Sequence, residues 1–222
     1  MTKKSGNNRL HQRVKTAKRR TNSSNRWLER QLNDPFVQEA KKLGYRSRAA
    51  FKLRDLDDKF HFLKAGQVIV DLGAAPGGWC QIAADRCKGG TIVALDLLPI
   101  EPLAGATCLE LDFMEETAPA TLMALLPGGK ADLVLSDMAP NSSGNPALDH
   151  LRIVGLVDAA LQFATEVLKP GGGFVCKVWQ GGAETQLLAQ LRRQFTSVRH
   201  AKPASSRKDS AETFLVALGF RG

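Results

Sequence analysis

Residues 68 to 84, VIVDLGAAPGGWCQIAA, constrain this chain more than its composition does. An unbroken apolar run, Val68 to Val70, ends on Asp71, turns through glycines and opens at once into a helical pattern. Strand, glycine turn and helix in that order are the first half of a βαβ unit. A strand without polar alternation is covered on both faces, so helices must lie above and below the sheet it joins.

The rest of the chain continues the alternation. QVIVDLG, GTIVALDLL, ATCLELDF, ADLVLSDMAP, GGFVCKVWQ, TSVRHAKPA and AETFLVALGF read as strands. GWCQIAADRC, ATLMALL, LDHLRIVGLVDAALQFATEVL and AETQLLAQLRRQF read as helices between them. In the longest, Leu151, Val154, Val157, Leu161, Ala164 and Leu168 keep one apolar face until Lys169, Pro170 and Gly171 stop it. Upstream, SRAAFKLRDLDDKF is an amphipathic helix with Ser47 as N-cap and Lys52 on it. The expected fold is α/β, a mostly parallel seven-stranded sheet with helices on both faces. The loop holding Pro203, Ser205, Ser206, Arg207 and Lys208 joins the last two strands and implies that the final one runs antiparallel.

Charge divides the chain. Its 222 residues carry a net +9, and Lys3, Lys4, Arg9, Arg13, Lys15, Lys18, Arg19 and Arg20 all precede Glu29, the first acidic residue. Residues 1–24 therefore read as a basic, flexible arm for a polyanion, and 25–222 as a single domain. Cys80, Cys87, Cys108 and Cys176 form no CxxC pair and stand at no ligand spacing from a histidine, so neither a disulfide framework nor a metal site is expected. No run approaches the roughly 18 apolar residues of a membrane span, and the N terminus lacks an apolar signal core, so the expectation is a cytoplasmic protein without a membrane partner. Nothing in the pattern asks for more than a monomer. Aromatic residues are 6% of the chain with a single tyrosine, Tyr45, so an RNA partner is expected to be positioned by shape and phosphate contacts.

The glycine turn admits two ligands. Asp71, Gly73, Ala75 and Gly77 follow a D-x-G-x-A-x-G arrangement, in which glycines permit close approach and the acidic strand end suits a cation such as the amino group of S-adenosylmethionine. Gly73, Ala75 and Gly78 can also be read as a degenerate dinucleotide motif, but Pro76 removes a backbone N–H that a pyrophosphate would need. A packing turn with no ligand is the third possibility. Asp96 ends the second strand and would meet a ribose in either ligand; Asp112, one strand later, can accept from an adenine amino group or merely cap a helix.

Lys177 is the anomaly. It lies between Phe174, Val175, Cys176 and Val178, Trp179 on a core strand, and a buried ammonium is costly unless compensated. Buried ionisable groups in such places are functional candidates.

In order and spacing together, DLGAAPGGW, DLLP, SDMAPN, FVCKVWQG, RSRAAFKL and SSRKDSAETF make the chain from about residue 26 onward resemble the FtsJ (RlmE) family of bacterial large-subunit ribosomal RNA ribose 2′-O-methyltransferases. The resemblance implies the class I methyltransferase (Rossmann-like) sheet, S-adenosylmethionine as donor, and a uridine of the 23S A-loop on the large ribosomal subunit as target. It implies Lys52, Asp137, Lys177 and Glu212 as the catalytic set, with Lys177 as proton acceptor. For the cofactor it implies Gly77, Trp79, Asp96, Asp112 and Asp137, flanked by Asp71, Gly73, Ala75, Pro76, Gly78, Leu97 and Phe113. The basic arm exceeds what that family's core needs. Transfer RNA or another RNA as substrate, a ribosome-binding assembly factor, and a nicotinamide oxidoreductase are the competing readings; the last lacks a hydride-transfer constellation.

Methyl transfer to a hydroxyl requires alignment and removal of one proton. An ammonium cannot take that proton: burial and the neighbouring Lys52 favour the neutral amine of Lys177, while Asp137 and Glu212 favour the cation, and the residues alone leave the balance open.

Overall fold

The computed structural model describes residues 21–141, 143–179 and 184–222. Two helices precede the one read from sequence: α1 (Asn22–Asn33) and α2 (Pro35–Lys42), followed by α3 (Ala49–Phe60). Their starts are chemically marked. Thr21 accepts from the N–H of Ser24 at the head of α1; Asp34 accepts from the N–H of Phe36 at the head of α2, whose first residue is Pro35. Helix α1 thus begins inside the stretch 1–24 read as an arm; residues 1–20 lie outside the described residues. The Ser47 cap is not made. Arg48 occupies the position before α3, and the Ser47 hydroxyl lies buried without a partner, facing Gly78.

The sheet then assembles from β1 (Val68–Leu72), β2 (Thr91–Asp96), β3 (Ala106–Glu110), β4 (Ala131–Ser136), β5 (Leu168–Trp179), β6 (Phe195–Ala201) and β7 (Glu212–Phe220). Its order is β3-β2-β1-β4-β5-β7-β6. Every pairing is parallel except those of β7, which runs against both β5 and β6. The connecting helices are α4 (Gly78–Arg86), α5 (Ala118–Leu125), α6 (Pro146–Val167) and α7 (Glu184–Gln194). This is the expected mostly parallel seven-stranded sheet of a Rossmann-like class I methyltransferase. One boundary moves: the strand read as starting at Gly172 begins at Leu168, and the pairing with β4 jumps from Leu168 opposite Ala131 to Gly173 opposite Leu133. Lys169, Pro170 and Gly171 are absorbed in that irregularity, where Gly171 takes a positive φ.

Each strand feeds two cores. Ala50, Leu53 and Leu56 of α3 with Trp79 and Ile82 of α4 pack on Ile69, Ile92, Leu133, Leu135, Val175, Phe214 and Val216. Leu122, Val157, Leu161, Phe163 and Leu191 of α5, α6 and α7 pack on Val70, Leu72, Val134, Phe174, Cys176 and Leu215 on the other face. Side chains alternate along a strand with period two, so the parity of Ile69, Leu135, Val175 and Phe214 carries Asp71, Asp137, Lys177 and Glu212 to the α3/α4 side. Asp96 follows Ile92 to the same side.

Candidate active site

Chain reversal at β1, which has β2 on one side and β4 on the other, opens a crevice at the carboxyl ends of the strands. Across the sheet that rim carries Asp112 beyond β3, Asp96 at the end of β2, Asp71 and the glycine turn on β1, Asp137 just after β4 and Lys177 near the end of β5. Because β7 is antiparallel, its first residue, Glu212, reaches the same rim, paired in register with Trp179 while Phe214 pairs with Lys177.

The four residues expected to act together form two contacting pairs. Lys177 Nζ donates to the main-chain carbonyl of Asp137 at 2.6 Å and stands 3.1 Å from its Oδ1, an ion-pair contact rather than an aligned hydrogen bond. Lys52 Nζ donates to Glu212 Oε2 at 2.7 Å and sits 5.7 Å from the centre of the Phe214 ring. Lys177 is 8% exposed, so its charge is compensated by the carboxylate and the carbonyl rather than by water. Ser206 donates to Glu212 Oε1 at 3.1 Å, and the Glu212 N–H donates to Ser210 Oγ. A cleft of about 160 Å³ opens beside the second pair, lined by Lys52, Glu212, Arg48, Arg207 and Gln31.

The matching family model, the FtsJ-like methyltransferase, covers residues 45–220. The chain belongs to the FtsJ-like methyltransferase family. A ribosomal RNA large subunit methyltransferase E of Paramagnetospirillum magneticum is 58% identical over 98% of this chain and 91% of its own. Another of that name from Bradyrhizobium diazoefficiens is 58% identical over 96% of this chain and 95% of its own. A solved Plasmodium falciparum structure assigned as a ribosomal RNA methyltransferase superposes with a TM-score of 0.72 at 31% identity, covering 80% of this chain and 100% of that one. Like its family, the chain is an enzyme, an S-adenosylmethionine-dependent methyltransferase.

The crevice fits that donor. Asp71 is fully buried; its Oδ2 accepts from the Cys80 thiol at 3.1 Å, and its Oδ1 has no partner, a stranded acceptor beneath the glycine turn that suits a cationic ligand. Burial pushes this carboxyl up to about 7, with the charges of Asp137 and Asp96 adding and the Cys80 hydrogen bond opposing. Asp96 accepts from Ala75 N–H and Leu98 N–H, both at 2.9 Å, tying the turn to β2 while keeping lone pairs for a hydroxyl. Asp112 accepts from Met114 N–H, a turn of its own rather than the helix cap, since α5 starts only at Ala118. Leu97 is 62% exposed on the rim and can lie against a flat ring.

Several of these residues also make close contacts within the protein. Close approach at the glycines is to protein: a Cβ on Gly73 would meet Met138 N at 2.7 Å, one on Gly77 Arg46 Nη1 at 2.7 Å, and one on Gly78 Ser47 Oγ at 2.5 Å. Gly73 and Gly77 have φ of +76° and +105°, where only glycine is at ease. Ala75 and Pro76 share a cis peptide in the turn. The Trp79 indole is buried, donating to Ala49 O at 2.9 Å and tilted against Phe214 at 5.7 Å, so its backbone N–H in the first turn of α4 is what it offers a ligand. The Phe113 ring packs edge-on to Phe163 in the other core.

Arg46 is a residue the sequence did not single out. Its guanidinium donates to the carbonyls of Pro76, Glu101 and Pro102, fastening the glycine turn to the segment after β2. It shares RSRAAFKL with Lys52, yet nothing in the spacing shows that its partners lie 30, 55 and 56 residues away. The four cysteines are free, and burial raises all of their thiol pKa values, Cys87 to about 11. Among the described residues no group of three His, Cys, Asp or Glu converges on a metal position, and no helix is long and apolar enough to cross a membrane.

Proposed function

We propose that this enzyme methylates the ribose 2′-hydroxyl of a uridine in the A-loop of 23S ribosomal RNA, acting as a monomer on the assembled or late-assembling large subunit in the cytoplasm. The name shared by its relatives supports a large-subunit ribosomal RNA substrate. The observation that carries the chemistry is the Lys177–Asp137 contact one strand away from the glycine turn.

Bound at the turn, S-adenosylmethionine supplies an electrophilic methyl group. Asp71 and the Gly77 to Trp79 backbone hold its amino-acid end, Asp96 its ribose, Asp112 and Leu97 its adenine, with Gly73, Ala75, Pro76, Gly78 and the Phe113 backbone shaping the walls. Because β4 lies between β1 and β5, Asp137 stands between this cradle and Lys177. Lys177 and Asp137 orient the ribose hydroxyl, and Lys52, fixed by Glu212, meets it from the α3 side. With the methyl bonded to the ribose oxygen, its bond to sulfur broken and a neutral thioether left behind, that oxygen would be positive and shed its proton readily, so a late transfer to the Lys177–Asp137 pair needs no strong base. The basic stretch of residues 1–24 attracts the RNA backbone.

Incubation with labelled S-adenosylmethionine and, in parallel, large subunits, protein-free 23S ribosomal RNA and transfer RNA tests the reading. Label is expected in the subunit at one ribose; label in transfer RNA instead would move the substrate to another RNA, and binding without transfer would make the protein an assembly factor.

A further inference from the structure

The loop between β6 and β7, residues 203–210, is held from three sides. Asp55 accepts from the Ser205 N–H at 2.8 Å, Arg48 donates to the Ser205 carbonyl, and Lys202 Nζ donates to the carbonyls of Lys208 and Ser210 at 3.2 and 2.7 Å. From the loop, Arg207 reaches Asp34 Oδ2 through Nε at 3.3 Å and Nη2 at 3.2 Å. The same oxygen accepts from Arg48 Nη1 at 2.6 Å. One buried carboxylate, 8% exposed, thus locks two guanidiniums at the junction of α1 and α2. The loop's two ends of interest face inward: Ser206 Oγ on Glu212 Oε1, Ser210 Oγ on Glu212 N–H. Glu212 in turn fixes Lys52.

We infer that Asp34 and Ser206 are positioning residues for the Lys52–Glu212 pair, Asp34 by locking the 203–210 loop through Arg48 and Arg207, Ser206 by orienting the Glu212 carboxylate. Glu212 Oε2 can meet Lys52 in one direction only while Oε1 is held by the Ser206 hydroxyl. The hydroxyl is held because the loop is clamped, and the clamp ends on Asp34, which belongs to neither catalytic pair. Without the Asp34 carboxylate, two cations share the junction with no common acceptor and the loop loses its anchor. The inference rests on the catalytic reading of Lys52 and Glu212.

Single-turnover methylation at saturating S-adenosylmethionine, with RNA varied up to saturation at two salt concentrations, tests it with Asp34→Asn, Ser206→Ala, Glu212→Gln and the paired variants. Asp34→Asn keeps an N-cap for α2 through Oδ1 and replaces the oxygen that accepts from both guanidiniums by an amide NH2. Each of Asp34→Asn and Ser206→Ala is expected to slow transfer roughly 10-fold, the scale of one hydrogen bond to a charged group, with S-adenosylmethionine affinity unaltered. In the Glu212→Gln background either change is expected to cost less than 2-fold, on the order of the additivity error for independent sites, because the carboxylate they position is gone. Losses that multiply in the paired variants would overturn the inference, as would a change confined to RNA KM and its salt dependence, which would make Arg48 and Arg207 RNA contacts that Asp34 merely neutralises. Should Asp34→Asn lower the melting temperature sharply, the Ser206→Ala and Glu212→Gln cycle alone decides. A wild-type enzyme that transfers no methyl would instead sink the functional reading beneath it.

Discussion

Asp71 is held where a carboxylate is least comfortable, and its replacement by asparagine separates what the residue does for the fold from what it does for the ligand. Burial raises its pKa from 3.8 to about 7. Between those values the folded protein binds a proton that the unfolded chain has lost, so this group makes stability fall as pH rises from about 4 to 7 and then level off. Three units correspond to on the order of 4 kcal/mol of destabilisation above pH 7, of which roughly 2 to 3 kcal/mol develops between pH 5 and pH 8. Asp71→Asn keeps an acceptor for the Cys80 thiol and removes the ionisation. Urea denaturation of ligand-free wild type and variant at both pH values reads the effect, since all other titrations cancel in the difference. The variant is expected to gain stability over wild type by roughly 2 to 3 kcal/mol more at pH 8 than at pH 5, while its S-adenosylmethionine affinity falls at both. A difference independent of pH, or one that grows toward acid, would refute the assignment of a buried, strained carboxylate.

Other substitutions probe neighbouring parts of the site. Gly73→Ala places a Cβ against Met138 N at a φ of +76°, and is expected to destabilise the fold by about 2 kcal/mol or more, read from the urea midpoint, and to weaken S-adenosylmethionine binding in calorimetry. Removing residues 1–20 takes away eight Lys and Arg, and is expected to lower RNA affinity and flatten its salt dependence, by roughly 0.7 to 0.9 in the log–log slope for each phosphate that is no longer neutralised. Arg46→Ala unfastens the carbonyls of Pro76, Glu101 and Pro102, and is expected to raise the S-adenosylmethionine Kd roughly 10-fold, the scale of a charge-assisted hydrogen bond, without altering the transfer rate at saturation.

How far the sequence could be read depended on whether a feature was local. The unbroken apolar strands specified a covered sheet, and the Pro203 to Lys208 loop an antiparallel β7; with β6 running with the sheet and β7 beside β5, Glu212 reaches the rim of Lys177. Lys177 declared itself by standing among core residues, and its compensation by Asp137 follows from β4 and β5 being neighbours. Helices α1 and α2 carry few apolar residues to set a helical period, and only Asp34-Pro35, a cap followed by a first-turn proline, marks a start there. Interactions that span the chain left no local trace. Arg46 on three carbonyls and Asp34 on two guanidiniums pair residues up to 173 positions apart, and neither spacing nor charge pattern encodes which carbonyl or carboxylate will be near. The Trp79 and Phe113 rings pack in the two cores, a placement that their naming as cofactor-site residues does not reveal.

The catalytic role of the rim is tested most directly by single-turnover transfer from labelled S-adenosylmethionine to large subunits with wild type and Lys177→Ala, followed by alkaline hydrolysis of the RNA. Methylation of a 2′-oxygen makes the adjoining phosphodiester resistant to alkali. Wild type is expected to yield one alkali-resistant position, and Lys177→Ala to lose roughly 100-fold or more in rate while binding S-adenosylmethionine as before. Label on an alkali-sensitive nucleotide, or turnover by Lys177→Ala at the wild-type rate, would contradict it.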